Sequence, residues 1–460
     1  MSLAADSLLN VAGTATAKPA PTVYIETYGC QMNVSDSELM YGNLAAHGYA
    51  PVDGPEGADV ILVNTCAIRD NAETRVIGRL GELKRFMKAG SIVGVTGCMA
   101  QRLGPRLLDS AKHVSLVVGP DGYRALPQLL DGARAGERFI ATDFDLEEHY
   151  EDVVAKRFDG VKAWIPVQRG CNYRCTYCIV PYTRGEERSR KLDDVVRETR
   201  EVVAQGLSEV VLLGQTVNSY NDGTHDFADL LRAVAAVDGI RRVRYTSPHP
   251  NDFSERVIAA MAEVPEVCEH VHLPMQSGST SMLKRMLRRY SREEYLDCVA
   301  RLRAAMPGLG LTTDIIVGFP GETDEEFAET LSLCREVRFD DAFTFKFSAR
   351  EGTPATRMPA EWTVPQEVMD RRYDALVATV RGISREKNMG RLGERMEVLV
   401  EKEARKGELL QARSRDFKTV LVPGTPELIG TYMHVELTGT TGATFTGTPV
   451  QERQPLPMAG

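Results

Sequence analysis

The sequence predicts an α/β protein in three parts: an N-terminal doubly wound α/β domain, a central partial (β/α)6 barrel and a small C-terminal β-barrel. Three observations predict it. Short β-branched runs alternate with helix-period stretches from Thr22 onward. A second series, of about six strand–helix units, follows an acid-rich break and reads as a barrel of parallel strands. From Arg391 the runs shorten and are broken by Gly, Pro and Thr, the pattern of a small closed barrel. At 460 residues the chain exceeds one ordinary core, and 43% apolar with 26% charged residues is a globular rather than a disordered composition. No run reaches the roughly 18 apolar residues of a membrane helix.

Residues 1–20 hold one Lys, one Asp and no Arg, which fits neither a secretory nor a mitochondrial leader and reads as a flexible extension. In the N-terminal domain, expected over 21–137, TVYIET from Thr22, ADVILVNT from Ala58, SIVGVTG from Ser91 and VSLVV from Val114 are the strands. SDSELMYGNLAAHG and DNAETRVIGRLGELKRFMKAG are helices between them, and the α/β pattern ends near Asp131. Residues 138–156 carry six acids between Asp143 and Asp152 and are expected to be a solvated connector. The barrel, over 157–387, has strands beginning near Trp164, Glu209, Arg241, His270, Thr312 and Asp341. Its helices include a long helical region over 279–306 and a final long helix after Pro359. Residues 388–454 form the small β-barrel.

Nine cysteines in so long a chain are too sparse and too odd in number for a disulfide scaffold, so a reducing cytoplasm is expected. Cys171, Cys175 and Cys178 form C-x3-C-x2-C in the loop after the first barrel strand. Three thiolates from one loop hold three irons of a 4Fe-4S cluster and leave the fourth open to a ligand. Structural zinc is the alternative, but no nearby Cys or His offers a fourth tetrahedral ligand at the usual spacing. Cys30, Cys66 and Cys98 each directly follow a strand (TYGC, NTC, TGC), and parallel strands end on one sheet edge. A second three-cysteine cluster is the reading there, with three inert buried thiols as its alternative. Cys268, Cys298 and Cys334 lie on or beside helices and read as inert.

The loop RGCNYRCTYC at the head of a β/α barrel resembles the radical S-adenosylmethionine superfamily. Two cysteine triples in this order before a small barrel resemble its methylthiotransferase family, over essentially the whole chain after residue 20. The phrases TYGCQMNVSDSE, VNTCAIRDNAE, VTGCMAQR, LLGQTVNSY, HLPMQSGS and YTRGEERSR most resemble the branch that modifies tRNA. The resemblance implies two 4Fe-4S clusters and S-adenosyl-L-methionine. The barrel cluster would cleave this cofactor to a radical, and the sheet-edge cluster would attach sulfur. The implied reaction is methylthiolation at carbon 2 of N6-isopentenyladenosine beside a tRNA anticodon. Threonylcarbamoyl-adenosine in tRNA and a small-subunit ribosomal protein are the alternative substrates. An RNA-binding protein with structural metal is the alternative of another class.

By the same resemblance Tyr177 packs by the adenine of the cofactor. Polar residues at barrel strand ends are candidate cofactor contacts: Gln215, Asn218, Ser247, Gln276, Ser277, Gly318 and Glu322, with ordinary loop capping as the alternative. The net charge of −9 gives no global sign of nucleic-acid binding, so RNA contacts must be local. Arg184 and Arg188 after the cysteine loop, Arg285 in a basic run, and Arg413, Arg415 and Lys418 on the TRAM-like C-terminal barrel are the candidates, against solvated faces. Implied partners are the tRNA anticodon stem-loop, a one-electron reductant of flavodoxin or ferredoxin type, and iron–sulfur or sulfur delivery proteins, with no membrane.

Overall fold

The computed structural model describes residues 19–67, 70–157, 160–405 and 407–450. Of the expected N-terminal extension, residues 1–18 lie outside the described residues. The first unit is a six-stranded parallel sheet of β1 (Thr22–Tyr28), β2 (Ala50–Pro51), β3 (Val60–Thr65), β4 (Ile92–Gly97), β5 (Val114–Val118) and β6 (Phe139–Ala141), in the order β2-β1-β3-β4-β5-β6. β3 and β4 are buried at every position, because helices cover both faces of the sheet. Val60 and Leu62 point into one core with Leu44, Leu126 and Leu130, while Ile61 and Val63 point into the other with Val76, Leu80 and Leu107.

β6 extends this sheet past the expected end near Asp131. The acid-rich segment after it is exposed at five of its six acids, as a solvated connector would be, but it is pinned at two points. Tyr150 is buried there, its hydroxyl donating to the Pro120 carbonyl at 2.9 Å and accepting from the Tyr123 amide at 3.1 Å. Glu148 is also buried and pairs with Arg124 at 2.6 Å. Acidic composition indicates the exposed acids but not the two anchors, Glu148 and Tyr150, that pin the segment to the first domain.

The second unit contains β7 (Ala163–Pro166), a short antiparallel pair β8 (Gln168–Arg169) and β9 (Arg188–Ser189), then β10 (Glu209–Leu213), β11 (Arg242–Tyr245), β12 (His270–His272), β13 (Gly310–Val317) and β14 (Asp341–Lys346). Parallel ladders run β7-β10-β11 and β12-β13-β14, and a single parallel bridge from Val243 to Val267 joins them. The result is the expected partial barrel of six parallel strands, with no ladder from β14 back to β7 among the described residues. The helical region over 279–306 is two helices, Thr280–Arg285 and Arg292–Ala305. Leu287 and Arg289 take left-handed backbone between them, and a Ser291/Glu294 capping box restarts the chain.

The third unit is a closed barrel of β15 (Arg395–Glu403), β16 (Leu409–Ser414), β17 (Thr419–Pro423), β18 (Tyr432–Thr440) and β19 (Phe445–Pro449), ordered β15-β16-β17-β19-β18 around Val398, Val420 and Phe445. It follows the long helix Gln366–Met389 and docks where β11 begins. There the buried Arg242 and Arg244 donate to the carbonyls of Arg413, Ser414 and Arg415 at 2.7–2.9 Å, and Arg244 also pairs with buried Glu209 at 3.2 Å.

This docking makes a stability contrast. Arg242→Ala leaves Glu209 with Arg244 as its remaining partner and strips the donor from the Arg413 carbonyl, and is expected to cost about 2 kcal/mol, the usual penalty for leaving a buried polar group unsatisfied. Arg395→Ala, at an exposed pair with Glu436, is expected to cost under about 1 kcal/mol. Equilibrium urea unfolding of both variants beside the parent measures the difference; equal small losses would contradict it.

Candidate active site

The register of the parallel sheet brings three distant thiols together. Thr65 at the end of β3 lies level with Tyr28 of β1 and Gly97 of β4. Cys66 and Cys98 are the next residues in their strands' wake, and Cys30 follows Tyr28 by two. Gly97 turns the chain at φ +88, where an added Cβ would stand 2.6 Å from the Thr65 carbonyl and 2.5 Å from Asn64 Oδ1. Only glycine fits there. Cys98 then opens the helix Cys98–Leu103, while Cys30 caps the helix Gln31–Ala46.

The second triple is held by the barrel. Gly170, at φ +75, presses against the Glu186 carbonyl and leads into Cys171. The loop is fastened at both sides. The Gly170 amide donates to Gln215 Oε1 at 2.6 Å, and the Thr176 amide and hydroxyl donate to the carbonyls of Met286 and Arg285 at 3.0 and 3.1 Å. Those carbonyls lie at the end of Thr280–Arg285, so the break in the 279–306 region serves the cysteine loop.

All six cysteines line one cavity of about 310 Å³ between the sheet edge and the open mouth of the barrel. That volume lies in the range of a cofactor site. No disulfide joins the cysteines among the described residues.

The charges around the thiols suit a sulfur-rich anion. Arg184 Nε donates to Cys98 Sγ at 3.1 Å, and its Nη1 is buried with no hydrogen-bond partner. Arg288 Nη1 donates to Cys175 Sγ at 3.4 Å. A hydrogen bond from Cys66 lowers the Cys30 thiol to about 6, helped by Arg184 and the amides of Met32 and Asn33. Burial pushes Cys98 and Cys171 up, and takes Cys178 to about 12. Held as neutral thiols in the protein alone, these three must lose protons when a metal cluster binds. The donor set therefore fits iron–sulfur clusters, three thiols to each.

One carboxylate joins the two halves. Asp36, fully buried on Gln31–Ala46, receives Arg184 Nη2 at 2.6 Å and Arg169 Nη1 at 3.3 Å, with the Tyr123 hydroxyl at 3.4 Å. Arg169 directly precedes Gly170, and Arg184 ends the helix Val180–Arg184 after the cysteine loop.

Of the candidate cofactor contacts, Tyr177, Gln215, Ser247 and Gln276 line the cavity. The structure places four others outside its lining, each in a scaffold role. Asn218 brackets the His249 backbone with bonds of 2.7 and 2.9 Å. Ser277 meets Thr330 at 3.2 Å. The Gly318 amide donates to Glu322 at 2.8 Å, and Glu322 pairs with Arg372 at 3.0 Å. The position after a strand end thus brings some of these residues to the cavity and leaves others in the scaffold.

Other lining residues were missed. Thr216 meets Cys171 at 3.3 Å, and Asp314 and Arg288 also face the cavity. His249 lines it too, stacked on Tyr173 at 3.8 Å; burial, Arg288 and Arg289 lower it to about 2, so it stays neutral. The strand-end position of Thr216 was a usable signal; nothing local marks Arg288.

The cations expected to contact RNA are engaged within the protein. Arg184 and Arg188 are buried, the second paired with Asp121. Arg285 binds Glu326 at 2.7 Å, Arg413 binds Glu401 at 3.2 Å, Arg415 binds Glu269 at 2.8 Å, and buried Lys418 binds Asp340 at 3.0 Å. These cations hold internal and interdomain carboxylates instead of presenting an open basic face. Lys284 and Arg289 of the same basic run are exposed.

Comparison with known proteins agrees with this arrangement. Residues 165–334 match the Radical SAM superfamily, and residues 22–119 match the uncharacterized protein family UPF0004. A tRNA-2-methylthio-N(6)-dimethylallyladenosine synthase of Geobacillus thermodenitrificans is 45% identical over 434 residues, 92% of this chain and 82% of the relative. Those of Carboxydothermus hydrogenoformans and Porphyromonas gingivalis are 44% and 43% identical, covering 90% and 93% of this chain and 96% and 95% of theirs. Among solved structures, the radical S-adenosylmethionine methyltransferase TsrM of Kitasatospora setae shares the fold, with TM-score 0.59 at 15% identity over 75% of this chain and 80% of that one. Similarity at this level, across nearly the whole of both chains, places the protein in the family of tRNA-2-methylthio-N(6)-dimethylallyladenosine synthases.

Proposed function

We propose that the chain replaces the carbon-2 hydrogen of N6-isopentenyladenosine, beside a tRNA anticodon, with a methylthio group. The observation that carries this is the convergence of two cysteine triples, one from each domain, on a single cavity. Acid–base residues alone cannot replace hydrogen on an aromatic carbon that offers neither an acidic proton nor a leaving group. Two 4Fe-4S clusters and S-adenosylmethionine supply, when bound, the one-electron chemistry and the sulfur that the step requires.

The chain's own residues divide the work. Cys171, Cys175 and Cys178 would hold the cluster that supplies the electron for cofactor cleavage, and Cys30, Cys66 and Cys98 would hold the one that supplies the sulfur. Arg288 and Arg184 place positive charge at a thiol of each set. Tyr177, set edge-on to Phe319 at 6.4 Å, offers an aromatic wall for the cofactor's adenine. Gln215, Ser247 and Gln276 offer polar groups to its ribose and amino-acid ends. Neutral His249 adds no charge to the cavity. A base from a single-stranded anticodon loop reaches such a recess at low unstacking cost.

A one-electron reductant of flavodoxin or ferredoxin type and a sulfur-delivery protein are the partners this chemistry needs. The reducing cytoplasm, where thiols and tRNA both reside, is the compartment it fits. No helix among the described residues is long and apolar enough to cross a membrane.

Nucleoside mass spectrometry of tRNA from a deletion strain tests the reading. The expected result is loss of the 2-methylthio group with the isopentenyl group retained. An unchanged tRNA profile would overturn it and shift the substrate to another modified adenosine or a ribosomal protein.

The division between the thiol sets gives a second outcome. Cys175→Ala should abolish formation of 5′-deoxyadenosine, whereas Cys66→Ala should retain it and yield no methylthiolated product. A Cys66 variant that cleaves nothing while its barrel cluster is intact would reverse the assignment.

A further inference from the structure

β14 carries two large aromatic side chains that the packing of the barrel does not use. Phe343 is 56% exposed and Phe345 42% exposed. Two residues apart on a strand, they project from the same face. Ala342 and Thr344 turn the other way, where Ala342 packs into the core covered by the helix Gln366–Met389. Single exposed phenylalanines need no explanation, but an aligned pair beside a cofactor cavity does.

The face they share is the inner one. Phe343 lies in register with Asp314 and Phe345 with Ile316 on β13, and Asp314 lines the cysteine cavity. The Phe343 ring meets His272 at 5.7 Å, and His272 in turn meets Asp314 at 3.3 Å and Thr312 at 3.0 Å. Below them Phe417 of the small barrel stacks on His270 at 4.5 Å. The aromatic pair thus continues the wall of the cavity away from the thiols.

We propose that Phe343 and Phe345 are the wall that receives the substrate purine and its apolar N6 substituent, selecting an isopentenylated adenosine over one whose N6 group bears a carboxylate. This rests on the function proposed above and names what that site recognises. Rings stack on a purine, and their edges give the branched hydrocarbon an apolar surface. A carboxylate in the same place would stand beside Asp314. The groups on that wall that could offset it are engaged elsewhere: the His272 ring meets Asp314 at 3.3 Å and Thr312 at 3.0 Å, and Lys346 holds Asp370 at 2.6 Å.

The test is binding of a fluorescent anticodon stem-loop to the cluster-loaded enzyme, in isopentenylated, N6-threonylcarbamoylated and unmodified forms, together with product formation by the parent. The parent should bind the isopentenylated form more tightly. The Phe343→Ala/Phe345→Ala variant should lose roughly ten-fold or more of that preference, the scale of one lost stacking contact. Its iron content and thermal unfolding should match the parent, which establishes that the variant is folded. Phe343→Tyr/Phe345→Tyr should restore the preference. A double-alanine variant with the parent's preference, in an enzyme that does methylthiolate, would overturn the inference alone. A parent that methylthiolates no tRNA would overturn the underlying reading and this inference with it.

Discussion

A fully buried carboxylate, Asp36, determines how the two halves of the catalytic cavity meet. Its partners Arg169 and Arg184 come from the barrel, 133 and 148 residues away in sequence. Taking these charges out of water is costly, and the arrangement persists only where geometry and further hydrogen bonds compensate. Here the compensation is shared with the site. The helix that carries Asp36 is capped by Cys30, Arg169 leads into Gly170 and Cys171, and Arg184 also donates to Cys98. Shifting the two domains against one another would strand charge as well as separate thiols.

The same principle explains how an acidic protein can be rich in arginine yet show little basic surface at the positions singled out from sequence. Arg242 and Arg244 bind carbonyls of the small barrel, Arg415 binds Glu269, and Lys418 binds Asp340. Each joins elements distant in sequence. These contacts tie the C-terminal barrel to the strand starts of the central barrel, the end opposite the thiols. The cavity mouth thus stays clear of that docking.

The fold was legible because parallel strands buried on both faces leave unmistakable β-branched runs, as in VILVNT and IVGVTG. Strand ends were legible with them, which is why thiols far apart in sequence could be assigned to one sheet edge. What was not legible is pairing. Composition cannot tell that Arg184 faces Asp36 rather than solvent, or that Tyr150 pins an acidic strap. Nor does the position after a strand decide orientation: Gln215 lines the cavity, while Asn218, three residues on, braces His249. Phe343 and Phe345 read as ordinary strand residues until the partial closure of the barrel leaves their face open.

The account stands or falls on whether Asp36 keeps the two thiol sets in working register. Asp36→Asn preserves shape and removes the charge that Arg169 and Arg184 share. The decisive measurement is methylthiolated nucleoside formed per 5′-deoxyadenosine, in variant and parent reconstituted anaerobically to about eight irons per chain. The account predicts that iron content and 5′-deoxyadenosine formation persist while the product ratio falls about ten-fold or more, the scale of an ångström misplacement at a reacting centre. A fully loaded Asp36→Asn enzyme with the parent's product ratio would contradict it.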